Sequence, residues 1–194
     1  VEQKLKITIV EANSERARLI VDGLREAGDY DITVLSDETS LARRLAALEP
    51  DVVLIDIANP SRDMLETLSL ASGANARPVA MFVDRSEEQM VTAAIKAGLS
   101  AYVVDGLRKE RVKPVMDAAI ARFHMVSQMR SELEQARAAL AERKTIDRAK
   151  GLLMRARGIS EEEAYGLLRK TAMDQGRKVV DVAQALVTAA DLLI

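Results

Sequence analysis

Four short apolar runs, each ending at an acid, constrain this chain more than any other feature. They are Ile7-Thr8-Ile9-Val10 before Glu11, Val52-Val53-Leu54-Ile55 before Asp56, Val79-Ala80-Met81-Phe82-Val83 before Asp84, and Ala101-Tyr102-Val103-Val104 before Asp105. Short runs rich in β-branched residues suit parallel strands buried on both faces. A weaker run, Ile32-Thr33-Val34-Leu35, adds a fifth. Segments such as Ala17 to Ala27 and Leu41 to Leu48 lie between them, with apolar residues near helical spacing and Gly28 or Pro50 as stops. This alternation predicts a flavodoxin-like α/β domain, a five-stranded parallel sheet with helices on both faces and a ligand site at the strands' carboxyl ends.

Glu11, Asp56, Asp84 and Asp105 would then meet at one rim. Carboxylates brought together either hold a cation or raise one another's pKa. Each acid taken alone could equally end a strand or cap the next helix.

After Asp105-Gly106 no further strand is evident, and Lys109 to Arg157 reads as one nearly continuous helix, with Pro114 early enough to be tolerated. Val126, Met129, Leu133, Ala136 and Leu140 alternate by threes and fours, as in a coiled-coil seam. Dimerisation through that seam is the plain reading, and packing against the sheet domain is the other. Gly158 ends the long helix, Ser160 and Glu163 form a capping box for the next, and Gln175-Gly176 separates it from a terminal helix striped by Ala183, Leu186, Val187, Ala190 and Ile194. With the Ile146, Ala149 and Leu153 face these make a small three-helix bundle, whose little core would gain from docking between protomers.

Composition narrows the chemistry. The chain has no cysteine and one histidine, His124, which excludes thiolate catalysis, disulfides and zinc-thiolate sites and leaves no metal cluster. No apolar run approaches the roughly 20 residues that span a bilayer, and no signal pattern opens the sequence, so a cytoplasmic location without a membrane partner is expected. Charge is uneven: residues 1–124 carry 16 basic and 20 acidic groups, residues 125–194 carry 12 and 10. Arg143, Lys144, Arg148, Lys150, Arg155 and Arg157 fall within 15 residues. Lys144, Arg148 and Arg155 share a helix face, which is either a solvated surface or a phosphate-binding stripe. Arg169 and Lys170 would extend it. Tyr165, at the edge of an apolar stripe, is either a core or interface residue or a platform for a base. Lys150-Gly151 lacks the glycines of a phosphate loop.

The first half resembles the response-regulator receiver domain, through Ile55-Asp56, Pro60 and Ala97-Gly98-Leu99-Ser100-Ala101-Tyr102-Val103-Val104. The second half resembles the ANTAR module of transcription antiterminators, through Ala149-Lys150-Gly151-Leu152-Leu153-Met154, Gly158 and Glu162-Glu163-Ala164-Tyr165-Gly166-Leu167-Leu168-Arg169. Tyr102-Val103-Val104-Asp105-Gly106-Leu107 looks like the nitrate-assimilation, NasT-like branch. The expected organisation is a receiver-like domain over 1–122, a coiled-coil linker helix over 123–142 and an ANTAR RNA-binding domain over 143–194.

The receiver resemblance makes Asp56 the equivalent of the phosphoacceptor, but the sequence departs from the family around it. Ala12 stands where a second acid would follow Glu11, Val83 takes the hydroxyl position and Asp105 the lysine position. A phosphoryl group on Asp56 would lack its hydrogen-bond donor and meet repulsion. Control by protein contact rather than phosphorylation is the expectation. No cofactor is expected beyond weak Mg2+ binding at Glu11 and Asp56.

The resemblance implies a non-enzymatic RNA-binding antiterminator that, as a homodimer, engages stem-loops in a leader mRNA. It further implies an inhibitory partner that senses nitrate or nitrite. The RNA-contacting set is then Lys144, Arg148, Lys150, Arg155, Arg157, Tyr165, Arg169 and Lys170. The alternative is a phosphorylation-controlled regulator with a DNA- or protein-binding helical output. A metal-dependent phosphatase or nuclease using the four acids lacks a separate base or nucleophile. An adaptor that merely dimerises remains a third reading.

Overall fold

The structure is a computed structural model that describes residues 4–37, 40–105 and 107–192. The chain divides into two compact units, Val1–Ser127 and Gln128–Ile194. Unit 1 contains strands β1 (Lys6–Val10), β2 (Asp31–Leu35), β3 (Val52–Ile57), β4 (Val79–Val83) and β5 (Ala101–Val103). They alternate with helices α1 (Ser14–Ala27), α2 (Leu41–Leu48), α3 (Arg62–Ser72) and α4 (Glu88–Lys96). The order β2-β1-β3-β4-β5 is parallel throughout, as the β-α alternation predicts.

The buried strands sort their side chains by parity, because successive residues of a strand point to opposite faces. Val53, Ile55, Val79, Met81 and Val83 pack with Leu41, Leu45, Leu65, Leu68 and Ala94 of α2, α3 and α4. Val52, Leu54, Ala80 and Phe82 pack on the other face with Ile20 and Leu24 of α1 and with Val112, Met116 and Ala119. The last three sit on α5 (Lys109–Arg157), at helical spacing along one face. Two apolar layers thus fix β3 and β4 at the centre, and their carboxyl ends carry Asp56 and Asp84.

In unit 2 the later part of α5, α6 (Glu161–Asp174) and α7 (Val179–Asp191) form the expected bundle. Ser160 and Glu163 make the reciprocal capping box, and Gly158 leaves α5 with a left-handed φ of 64°. The core is small: Ala149, Leu168, Ala183 and Val187 are buried, with Ile146, Leu152, Leu153, Val179, Val182 and Leu186 partly so. Ile194, expected in the terminal stripe, lies outside the described residues, as does Gly106. The expected boundaries at 122 and 142 both fall inside α5, so no change of element marks them.

Gly23 shows how closely α1 approaches the start of α5. A Cβ there would stand 2.8 Å from the Lys109 carbonyl oxygen, which is backbone and cannot swing aside. Helix propensity alone favours alanine over glycine by about 1 kcal/mol. Overpacking is expected to win, so Gly23→Ala lowers the urea-unfolding stability of unit 1 by about 1–3 kcal/mol. A gain in stability would contradict this packing.

Candidate functional site

The rim acids are organised by a residue the sequence reading did not single out. Asn13 caps α1, its side chain accepting from the backbone N–H groups of Glu15 and Arg16, and this sets Arg16 in the first turn beside the strand ends. Arg16 Nε donates to Asp56 Oδ2 at 2.8 Å and Nη2 to Asp56 Oδ1 at 2.6 Å, a two-pronged bond that uses both oxygens. Nη1 donates to the two Asp84 oxygens at 3.0 and 2.8 Å, and Nε lies 3.4 Å from Glu11 Oε2. Such bidentate, charge-assisted bonds are among the strongest a guanidinium makes. A signal for Arg16 did exist. A cation in the first turn of a helix opposes the helix dipole, so another partner must hold it there.

Burial shapes the electrostatics. Asp56 is 3% exposed and Glu11 7%, and the Asp56 side chain itself is fully covered. The bonds to Asp56 and then Asp84 push Arg16 further up from its ordinary value, so it stays charged. Burial, aided by the neighbouring Asp56 carboxylate, pushes Glu11 up to about 7, although the Asn13 backbone N–H at 2.6 Å and Arg16 act in the opposite direction. Near neutral pH Glu11 is therefore partly protonated, and its protonated form can donate a hydrogen bond to Asp56.

Asp105 does not join this pocket. It is exposed, adopts a left-handed φ of 78° just beyond β5, and makes no ion pair among the described residues. The strand ends at Val103, and the acids that Arg16 joins are three, Glu11, Asp56 and Asp84. Val83 is fully buried and offers no donor, while the Ser86 hydroxyl lies 2.9 Å from that of Tyr102. The divalent cation that the receiver resemblance implies does not fit these residues. Both Asp56 oxygens are held by Arg16, and among the described residues no group of three or more candidate ligands could hold a metal ion.

In unit 2 the eight sequence candidates separate into two groups. Lys150 bridges Asp147 and Glu161 at 2.6 Å each, tying α5 to α6, and is only 14% exposed. Arg148 meets Asp191 of α7 at 2.6 Å. Lys144, Arg155, Arg157, Arg169 and Lys170 are exposed and form no ion pair among the described residues. Tyr165 is 44% exposed and lines, with Lys150, Gly151 and Met154, a cleft of about 600 Å³ between α5 and α6, so its ring lies outside the core. Among the seam residues, Met129, Leu133 and Leu140 are at least half exposed, Ala136 is exposed and Val126 is partly buried.

A five-stranded parallel sheet with acids at its carboxyl rim has the fold of receiver domains, here followed by a helical unit. Solved structures share the first part: the chemotaxis protein CheY4 of Vibrio cholerae matches 60% of this chain and 99% of its own at a TM-score of 0.51 and 14% identity. In the second part, residues 134–187 match the ANTAR domain family. The chain is thus similar to ANTAR-domain regulators. It is 29% identical over 168 residues to the transcriptional regulatory protein PdtaR of Mycobacterium tuberculosis, covering 86% of this chain and 82% of that protein. It is also 43% identical over 65 residues to a nitrate regulatory protein of Klebsiella oxytoca, covering 34% of this chain and 16% of that one. These relatives are regulatory proteins and not enzymes, and no described helix is long and apolar enough to cross a membrane.

Glu11 gives the pocket a pH signature. Its proton is held more tightly in the folded chain, so the stability it contributes is full below its ordinary 4.5 and declines as pH rises through about 7. Glu11→Gln is expected to flatten the unfolding stability across that window, measured by urea titration at several pH values. An unchanged slope would show that Glu11 titrates normally.

Proposed function

We propose that this chain is an RNA-binding antitermination factor whose helical unit engages stem-loops in a leader mRNA and so prevents terminator formation. The observation that carries this reading is the set of exposed cations, Lys144, Arg155, Arg157, Arg169 and Lys170, that form no ion pair among the described residues. Cations of this kind are available to neutralise phosphates, and the exposed Tyr165 ring is available to stack on an unpaired base. Loops suit such readout, since the deep, narrow groove of paired RNA hides base edges. Lys150 and Arg148 then act mainly as ties between helices, so their place in the contact set is secondary.

The same reading makes the working form a cytoplasmic homodimer. Met129, Leu133 and Leu140 repeat at seam spacing and leave apolar surface that a second copy would cover. The receiver unit is controlled by protein contact, because Arg16 occupies both Asp56 oxygens and the buried Val83 offers a phosphoryl group no hydrogen bond. Likeness to a nitrate regulatory protein supports target genes of nitrate or nitrite assimilation and an inhibitory partner that senses those anions. That step rests on analogy between relatives.

The test is binding of the full chain to a leader RNA with two stem-loops, against a loop-scrambled control, across a salt series. Binding is expected to depend on the loops, to weaken with salt and to fall at least tenfold in Arg155→Ala with unfolding stability unchanged. Lys150→Met is expected instead to lower the stability of the bundle. Salt-sensitive binding indifferent to the loops would overturn the stem-loop reading, and no binding at all would favour an adaptor.

A further inference from the structure

We infer that the Arg16 guanidinium permanently fills the place of a divalent cation in the acidic pocket, so that unit 1 holds this rim closed without metal. The inference rests on the receiver reading of the pocket and not on RNA binding by the helical unit. Three observations converge. Arg16 takes both oxygens of Asp56, the most buried acid of the rim, and both oxygens of Asp84. It reaches them from α1, held in place by the Asn13 cap, so the charge is tethered and needs no cation from solution. The acids it joins end three adjacent strands: Glu11 follows β1, Asp56 lies near the end of β3 and Asp84 follows β4.

The chemistry of the replacement is specific. Magnesium demands near-octahedral oxygen ligands and keeps several waters, binding through one or two carboxylates. A planar guanidinium instead donates along fixed directions and satisfies two carboxylates at once. With both Asp56 oxygens committed, a cation could enter only by displacing a bidentate ion pair. The Asp56 oxygens are equally unavailable as a nucleophile towards a phosphodonor. Removing the guanidinium would leave Asp56 and Glu11 as two adjoining buried carboxyls with no counter-charge, which is an environment that attracts a small divalent cation.

The experiment compares the full chain with its Arg16→Ala variant by thermal unfolding in magnesium chloride, with potassium chloride at matched ionic strength as control. The wild-type midpoint is expected not to respond specifically to magnesium at millimolar concentration. Arg16→Ala is expected to unfold at lower temperature and to recover several degrees with magnesium but not with potassium. If the alanine variant does not fold, Arg16→Gln, which keeps donors for one carboxylate, carries the same comparison. A wild-type response as large as the variant's would overturn the inference, since the guanidinium would not be excluding metal. Absence of a response in both proteins would overturn it as well, because the acids would then have no cation affinity for Arg16 to replace. RNA binding by the full chain is measured separately, so failure here leaves the antitermination reading standing.

Discussion

The two-pronged bond between Arg16 and Asp56 is the interaction on which unit 1 turns. Three strands end in buried or half-buried carboxylates, and a parallel sheet offers no backbone donors at that rim sufficient to neutralise them. Leaving one such charge unpaired in a dry pocket costs several kcal/mol. One side chain from α1 removes most of that cost by bonding Asp56 and Asp84 together while standing near Glu11. The remaining imbalance is met by the upward shift of Glu11, which lowers the number of negative charges the pocket carries near neutral pH. The geometry of the rim follows from this one arrangement, and on it rest the proposals that the pocket holds no metal and that control does not run through phosphorylation.

Unit 2 obeys a different constraint. Four of the six buried apolar residues described in it are alanines, so apolar burial contributes little and ion pairs between helices assist it. Lys150 and Arg148 are spent on that task. The cations left over form no ion pair among the described residues, and they are the surface that a polyanion would meet. Stability and recognition are thus divided among basic residues that look alike in sequence.

The sheet and its helices were legible because the central strands are largely apolar and several helices carry a cap or stop: the Ser160 box, Gly28 and Gly158 appear where sequence placed them. The long α5 was legible for the same reason, since nothing between Lys109 and Arg157 breaks it except an early proline. The site was less legible. Acids at strand ends can be read from spacing, but whether they share a partner depends on the turn that follows, and Asp105, left-handed and exposed past β5, forms no ion pair among the described residues. Arg16 lies 40 residues from Asp56 in sequence, so no local pattern pairs them. Likewise, Lys150 and Arg155 share a short basic segment, and only the position of Glu161 on the next helix separates a tie from a free charge.

The most direct test of the whole account is single-round transcription through a leader template with two stem-loops ahead of a terminator, with the full chain added with and without a small-molecule phosphodonor. The account predicts that the protein raises read-through and that the phosphodonor makes no difference. Read-through that appears only after phosphodonor treatment would contradict the closed pocket, and no change in read-through under either condition would contradict the antitermination function itself.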